Sequence, residues 1–236
     1  HIFERFYQIR NSQNNSNIGT GIGLHLTRSL VELHYGNIHV EDNGEGRPGS
    51  RFIIRLPLGN GHLKKEEIEE ASKKHVFGTK MRSVIYEANE EGIRDIVNQQ
   101  FEFAKTICDG GLVPIIEPEV DIHSEQKELC EKILKDEIIR KLNEWNPADK
   151  IMFKFTIPTV ANHYLDLYDY DCVVRIVALS GGYEIDEACE LLAKNNRMIA
   201  SFSRALLQDL NAHQTQEEFD TALNNAIVKI YNASID

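Results

Sequence analysis

The sequence predicts an α/β protein in which a parallel β-sheet with its helices is preceded by a smaller α+β segment. Beyond about residue 68, short apolar runs alternate with stretches in which apolar residues recur at the helical period. Before that point, a glycine-rich helical stretch is followed by two short strand-like runs on either side of a glycine-rich turn. These two patterns divide the chain into two domains, residues 1–67 and 68–236.

Composition and charge exclude several classes of function. The net charge of −11 disfavours nucleic acid and anionic membrane surfaces as partners, because both require a basic face. No apolar run approaches the roughly 20 residues that span a bilayer. The four cysteines form no C-x-x-C pair and the histidines form no H-E-x-x-H pattern, so we expect a cytoplasmic protein with reduced cysteines and no zinc site.

The first domain contains a glycine-rich loop that opens a helix. Gly19, Gly21 and Gly23 precede an amphipathic stretch, and Gly36 is expected to end that helix. Such a loop can hold a phosphate, because glycine lets the backbone approach closely and a helix N-terminus presents free N–H groups. Taken alone the pattern is weak, and a flexible turn before a core helix explains it more simply.

Two further elements complete the first domain and its boundary. The runs Asn37–Glu41 and Ser50–Pro57 predict a β-hairpin around a glycine-rich turn. The charged stretch HLKKEEIEEASKK that follows can be a linker or a solvated helix, and we favour the helix because Glu and Lys dominate.

In their order along the chain, the motifs of the first domain resemble the C-terminal end of a histidine-kinase ATP-binding domain. The motifs are IFERFYQ, a polar loop, GTGIGLHLTRSLVELHYG and GSRFIIRLPLG, over about 67 residues. The resemblance implies ATP and magnesium as ligands, with Gly19, Gly21 and Gly23 against the phosphates. The family's magnesium-binding helix, adenine-binding loop and phosphorylatable histidine have no counterpart here, so we expect a vestigial site that binds ATP poorly.

The second domain contains five strand candidates separated by helical patterns. One helix is expected over Ser124–Trp145, and the last begins at Thr215 with a capping-box pattern. Alternation of strands and helices implies a parallel sheet, which is either doubly wound or an eight-stranded barrel. The strand candidates are Lys80–Ile85, Leu112–Ile116, Ile151–Ile157, Val173–Leu179 and Met198–Phe202.

Polar residues lie on or directly after these predicted strands. The intervals from Lys80 to Glu117 and from Glu117 to Lys154 are both 37 residues, which suits one strand–helix unit each. Active sites of barrels form at the ends of the strands, so we expect these side chains to meet. The clusters are Lys80 and Arg82, Glu117 and Glu119, Lys154, Ser180 with Gly181 and Gly182, and Ser203 with Arg204.

Lys154 interrupts the apolar run MFKFTIP and is the most informative of these residues. Burial and a nearby cation such as Lys80 both favour a neutral amine, which can attack a ketone to form an imine. A lysine that extends from a strand end toward solvent explains the pattern equally well. Glu117 can move protons near an imine or form a salt bridge with Lys80, and Glu119 is a second candidate for that structural partner.

The remaining clusters suggest a site for phosphate. The hydroxyl of Ser180, the amides of Gly181 and Gly182 and the cation of Arg204 can together bind a phosphate group. The simpler alternatives are a tight turn for the two glycines and a surface charge for the arginine.

Six motifs of the second domain resemble bacterial class I fructose-bisphosphate aldolase over about 165 residues. They are FGTKMRS, GLVPIIEPEVDI, MFKFTIPT, VVRIVALSGGY, IASFSRAL and EEFDTALNNAIVKIYNAS. The resemblance implies cleavage of fructose 1,6-bisphosphate in glycolysis through an imine on Lys154, with Glu117 as acid and base and without a metal or cofactor. We group Lys80 and Glu119 with these catalytic residues. The phosphates of the substrate are assigned to Arg82, Ser180, Gly181, Gly182, Ser203 and Arg204.

The resemblance also implies an incomplete barrel. The chain carries the last five of eight strand–helix units, and the kinase-like fragment stands in place of the first three. The missing units include the family's aspartate that acts at the C4 hydroxyl of the substrate. Open parallel edges favour oligomers or aggregation. Because the chain begins inside a motif at His1, we expect a fragment of a longer fused product with little or no turnover alone. Two alternatives remain: a signalling module, a two-component sensor histidine kinase fragment that binds ATP, and a fusion without any function.

Overall fold

The computed structural model describes residues 2–4, 23–33, 36–42, 49–56 and 65–235. The chain divides into two compact units, His1–Lys64 and Lys65–Asp236. Among the helices of the described ranges, none combines the length and the apolar character needed to cross a bilayer.

The first unit contains a helix and a β-hairpin within its described residues. Helix α1 (Gly23–Leu33) is followed by strands β1 (Asn37–Asp42) and β2 (Ser50–Arg55), which pair in antiparallel fashion. The predicted hairpin is therefore confirmed. Of the three glycines of the predicted phosphate loop, Gly23 is the first residue of α1, whereas Gly19 and Gly21 lie outside the described residues.

Gly36 joins the helix to the hairpin at a point where no side chain fits. Its N–H donates a 2.9 Å hydrogen bond to the carbonyl of Val31 in the last turns of α1. A Cβ atom at Gly36 would lie 2.5 Å from the carbonyl oxygen of Arg55 on β2. Glycine is required here because the backbone of β2 passes too close for any larger residue.

The second unit is a parallel five-stranded sheet with helices, as far as its described residues show. The strands pair in chain order, β3-β4-β5-β6-β7, without the reversal that marks a doubly wound sheet. The fold is a mixed α/β fold consistent with a partial TIM barrel. The elements are α2 (Lys65–Lys73), β3 (Gly78–Ile85), α3 (Glu90–Asp109), β4 (Val113–Val120), α4 (Lys127–Leu142), β5 (Ile151–Thr156), a 3₁₀ helix (Leu165–Asp169), β6 (Val173–Leu179), α5 (Ile185–Leu192), β7 (Met198–Ala200), α6 (Arg204–Leu207) and α7 (Gln216–Asn232).

Two helices of this unit, α3 and α7, begin at residues whose side chains cap them. The side chain of Asn89 accepts a hydrogen bond from the N–H of Gly92 at the start of α3. At the start of α7, Thr215 and Glu218 form the predicted capping box. The predicted charged helix is confirmed as α2, although it is not fully solvated, because Ile68 is buried.

Several strand boundaries differ from the predictions, and two of the differences change where the polar clusters lie. Strand β4 was expected to end at Ile116 but continues to Val120, because its pairing with β3 runs on and the carboxylates of Glu117 and Glu119 find cations there. Strand β7 was expected to reach Phe202 but ends at Ala200, the last residue that pairs with β6. The clusters around Glu117 therefore lie within a strand rather than after it.

The hydrophobic core lies between the sheet and its helices. Phe153 and Phe155 of β5 are fully buried and stack on each other with ring centroids 5.3 Å apart. Phe155 also stacks on Tyr164 at 3.9 Å, and Leu134 of α4 is fully buried in the same core. Because side chains alternate along a strand, Lys154 faces the opposite side of the sheet from its two phenylalanine neighbours.

Candidate active site

Charged side chains from three adjacent strands meet on the face of the sheet that Lys154 occupies. Lys80 and Arg82 lie on β3, Glu117 and Glu119 on β4, and Lys154 on β5. In each pair the two residues are separated by one position, so both point to the same face. They line a cleft of about 370 Å³. Its lining consists of Lys80, Arg82, Glu117, Glu119, Lys154, Leu179, Ser180, Gly181, Ser201, Ser203 and Arg204.

Glu117 is the centre of this cluster. Its Oε2 lies 2.5 Å from the Nζ of Lys80, and its Oε1 lies 3.3 Å from the Nζ of Lys154. The Glu117 side chain is 4% exposed and the Lys154 side chain 12%, whereas that of Lys80 is about half exposed. A carboxylate this deeply buried requires partners, and two amines from the neighbouring strands provide them.

Glu119 pairs with Arg82, so the structural partner of Lys80 is Glu117 rather than the second candidate, Glu119. The Nε of Arg82 donates to the Oε2 of Glu119 at 2.7 Å. This bond raises the pKa of Arg82 above its usual value, so the guanidinium keeps its charge. The side chain of Arg82 is about half exposed, which leaves its remaining N–H groups accessible from the cleft.

The predicted phosphate-binding residues lie at the other end of the cleft. Ser180 and Gly181 line it directly after β6, and Ser203 and Arg204 line it after β7, but Gly182 does not contribute to the lining. Within the residues that the structure describes, the guanidinium of Arg204 forms no hydrogen bond or ion pair.

Gly181 cannot be replaced without strain. It has a φ of +63°, and a Cβ atom there would lie 2.6 Å from the Cγ2 of Ile122. The tight turn expected as the simpler alternative is therefore present. It also leaves the backbone of Gly181 exposed to the cleft, so the turn and a phosphate site are compatible.

Sequence reasoning missed two residues of the lining, Leu179 and Ser201. Ser201 directly follows β7 and has the same position relative to its strand as Ser180, so the signal that identified Ser180 also identifies it. Leu179 is the apolar last residue of β6 and carries no polar signal.

The cleft is electropositive within an acidic protein. Lys80, Arg82, Lys154 and Arg204 face two carboxylates, whereas the whole chain has a net charge of −11. A local excess of positive charge favours an anionic ligand. A larger hollow beside the start of α4, about 530 Å³, is lined by Leu129 and Val160 and by Glu125, Glu128 and Lys132, so carboxylates outnumber cations there.

Comparison with known proteins gives two results, one for a family and one for a solved structure. Residues 1–60 match the family described as histidine kinase-, DNA gyrase B-, and HSP90-like ATPase. The solved structure of fructose-bisphosphate aldolase from Plasmodium falciparum, in complex with TRAP and a small molecule inhibitor, is similar to this chain with a TM-score of 0.59. This chain has an aldolase-like fold.

The aldolase-like fold extends over most of the chain. The similarity covers 83% of this chain and 66% of the Plasmodium chain, which is slightly less than two thirds of that chain's length. At 20% sequence identity it concerns the arrangement of strands and helices, and it does not extend to the reaction. The charged cleft lies on the five-stranded sheet of the second unit.

Proposed function

We propose that the second unit is a carbon–carbon lyase that forms an imine with a sugar phosphate through Lys154, as in class I fructose-bisphosphate aldolases. The observation that carries the proposal is the 3.3 Å approach of the Lys154 amine to the buried carboxylate of Glu117, inside an electropositive cleft. An amine that must lose and regain protons requires a carboxylate within reach, and here a strand neighbour provides it.

In the proposed reaction, the neutral amine of Lys154 attacks the ketone carbon of fructose 1,6-bisphosphate. The former carbonyl oxygen leaves as water after Glu117 has transferred a proton to it, and an iminium remains. The electron pair of the C3–C4 bond then moves toward the iminium while the C4 hydroxyl gives its proton to the Glu117 carboxylate, which is free to accept it after protonating the departing oxygen. The aldehyde product departs and an enamine stays on Lys154.

Protonation of the enamine carbon and addition of water complete the cycle. Glu117 returns the protons, and hydrolysis of the iminium releases dihydroxyacetone phosphate and the free amine of Lys154. The aspartate that acts at the C4 hydroxyl in the resembling family has no matched residue in this chain. We therefore expect imine formation to be easier to detect than turnover.

The rest of the cleft is suited to hold the phosphates. Arg82 and Arg204 provide guanidinium groups, which match phosphate oxygens geometrically, and Ser180 and Ser201 provide hydroxyl groups. The reaction belongs to glycolysis, which is consistent with a cytoplasmic protein whose ligand is a sugar phosphate.

The proposal is tested by borohydride reduction in the presence of dihydroxyacetone phosphate, followed by peptide mass spectrometry. We expect a stable adduct on Lys154 and none in Lys154→Arg, which keeps the charge but cannot form the imine. Lys80→Arg is the matched control, because it keeps a cation beside Glu117 and leaves the reactive amine of Lys154 unchanged. A folded wild-type protein without an adduct on Lys154 would contradict the proposal.

A second candidate function concerns the first unit, because residues 1–60 match an ATPase family. We propose that the chain joins a fragment of such a domain to the aldolase-like unit, and that the glycine loop Gly19–Gly23 binds nucleotide phosphate only weakly. Calorimetric titration with ATP and magnesium measures this directly. Tight saturable binding would favour a signalling module, and absence of both ATP binding and the Lys154 adduct would favour a fusion without function.

A further inference from the structure

Strands β4 and β5 separate at the level of the candidate catalytic pair. Pairing between β3 and β4 extends over the whole of β3, from Gly78 to Ile85. Between β4 and β5 it is limited to Ile115 with Met152 and Ile116 with Phe153. The ladder thus stops one residue before Glu117 on β4 and Lys154 on β5.

Pro118 explains why the ladder does not resume. It follows Glu117 in the middle of the sheet, and proline has no N–H group to donate to a neighbouring strand. Proline is rare in central strands for this reason. The carbonyl groups beyond it then need another partner, because a buried and unpaired carbonyl is costly.

Thr156 provides that partner at the far side of the gap. Its Oγ1 donates a 2.6 Å hydrogen bond to the carbonyl of Val120, the last residue of β4. Thr156 is 2% exposed, and its own backbone pairs with Leu179 on β6. The threonine hydroxyl therefore ties β4 to the β5–β6 pair where the ladder is missing.

Glu117 is held on its other side by independent contacts. The full ladder joins β4 to β3, and the amide of Gln100 on α3 donates to Ser83 on β3 at 2.9 Å and to the carbonyl of Glu117 at 3.4 Å. These contacts fix Glu117 relative to β3. Its position relative to β5 depends on the last ladder pair before the gap, on the Thr156 bond after it and on its own 3.3 Å ion pair with Lys154.

We propose that Thr156 is a positioning residue for the chemistry of Lys154: its hydroxyl sets the separation of β4 and β5, so that the Glu117 carboxylate stays within reach of the Lys154 amine. The inference rests on the proposed function. Without the hydroxyl, Glu117 stays with Lys80 and β3, Lys154 stays with β6, and the gap between them widens.

The test compares Thr156→Val, which removes the hydroxyl at nearly constant shape, with Thr156→Ser, which keeps it. The rate of borohydride-trapped adduct formation on Lys154 is measured against the concentration of dihydroxyacetone phosphate. We expect T156V to lower the rate at saturation about tenfold, as a small misplacement of reacting groups does. The half-saturating concentration should not change, because the phosphate-binding residues are untouched, and T156S should retain the wild-type rate.

Unfolding midpoints measured on the same proteins separate positioning from loss of fold. If T156V does not fold, Thr156→Cys, with a weaker donor, takes its place and should react more slowly than T156S. Equal saturating rates for wild type and the folded T156V or T156C protein would overturn the inference and leave the imine on Lys154 standing. A wild-type protein that forms no adduct would overturn the proposed function and this inference together.

Discussion

The carboxylate of Glu117 bridges two lysines, with one oxygen 2.5 Å from the Nζ of Lys80 and the other 3.3 Å from the Nζ of Lys154. The two lysines come from strands on opposite sides of β4. Lys80 forms an ion pair with one carboxylate oxygen of Glu117. The other oxygen of Glu117 faces the amine of Lys154, which is the reactive group in the proposed function. One buried group thus links the structural ion pair and the proposed chemistry.

Replacing Glu117 with glutamine should slow adduct formation on Lys154 by about 100-fold, the usual contribution of a general acid or base. The amide keeps the shape of the side chain but cannot accept and return the proton. Trapping with borohydride at saturating dihydroxyacetone phosphate measures the effect. Glu119→Gln is the matched control on the same strand, since it breaks the bond to Arg82 and leaves Lys154 with its carboxylate. Equal losses in both variants would contradict the role of Glu117.

Replacing Arg204 with methionine should raise the half-saturating concentration of dihydroxyacetone phosphate about tenfold and leave the saturating rate unchanged. Loss of one charge-assisted hydrogen bond to phosphate weakens binding by roughly this factor. Arg175→Met is the control, because Arg175 is an exposed arginine on β6 that does not line the cleft. The phosphate assignment fails if both variants behave alike, or if binding of inorganic phosphate is unaffected by R204M.

Glu137 should make stability depend on pH in the acidic range. Burial opposes its charge, but bonds to Arg140 at 2.7 Å and to Arg94 on α3 at 2.9 Å outweigh burial and lower the pKa of Glu137. A lowered folded-state pKa stabilises the fold above the unfolded value of 4.5, and that contribution is lost as the pH falls through the folded value.

Glu137→Gln should therefore reduce the free energy of unfolding by about 1–3 kcal/mol at pH 7, the usual cost of losing charge-assisted hydrogen bonds. Urea unfolding at pH 7 and at about pH 2 checks this, and the difference from wild type should shrink at the lower pH. Glu102→Gln, an exposed position on α3, provides the control. If the free energies of unfolding of the variant and the wild type differed by the same amount at both pH values, the ion pairs of Glu137 with Arg94 and Arg140 would not be the cause.

Cys108 should resist alkylation at neutral pH. Burial, followed by the nearby charge of Asp149, raises the pKa of the Cys108 thiol to about 11 from a usual 9.0. Since the thiolate is the reactive form, iodoacetamide labelling of the folded protein should accelerate only toward pH 11, whereas the unfolded chain should react from about pH 9. The same shift contributes stability below pH 9 that is lost as the pH rises through 11. Equal labelling of folded and unfolded protein at pH 8 would contradict this.

Much of the second unit could be predicted from spacing alone. Strand β6 has the predicted bounds Val173–Leu179, and the helix start at Thr215 was correct because a capping box is a local signal. Lys80 and Glu117 were expected to meet because they lie on successive strands of a parallel sheet, and they do.

Features that depend on how strands align could not be predicted. Arg82 lies opposite Glu117 in the β3–β4 register, yet its guanidinium reaches Glu119 two residues further along, and the sequence does not show which carboxylate each cation contacts. The gap between β4 and β5 depends on the missing N–H of Pro118, and the bond that closes it joins the side chain of Thr156 to the backbone of Val120. Every residue has a backbone carbonyl, so the sequence does not show which of them accepts the hydrogen bond from Thr156.

The order of the strands has a consequence for how the sheet is assembled. From β4 onward, each strand pairs with the one made immediately before it, so none must wait for a partner that is synthesised later. Contacts between neighbouring units close short loops, which favours rapid folding. The sheet can therefore add one strand after another as the chain leaves the ribosome. The ion pairs of Glu117 with Lys80 and Lys154 can both form once β5 has emerged.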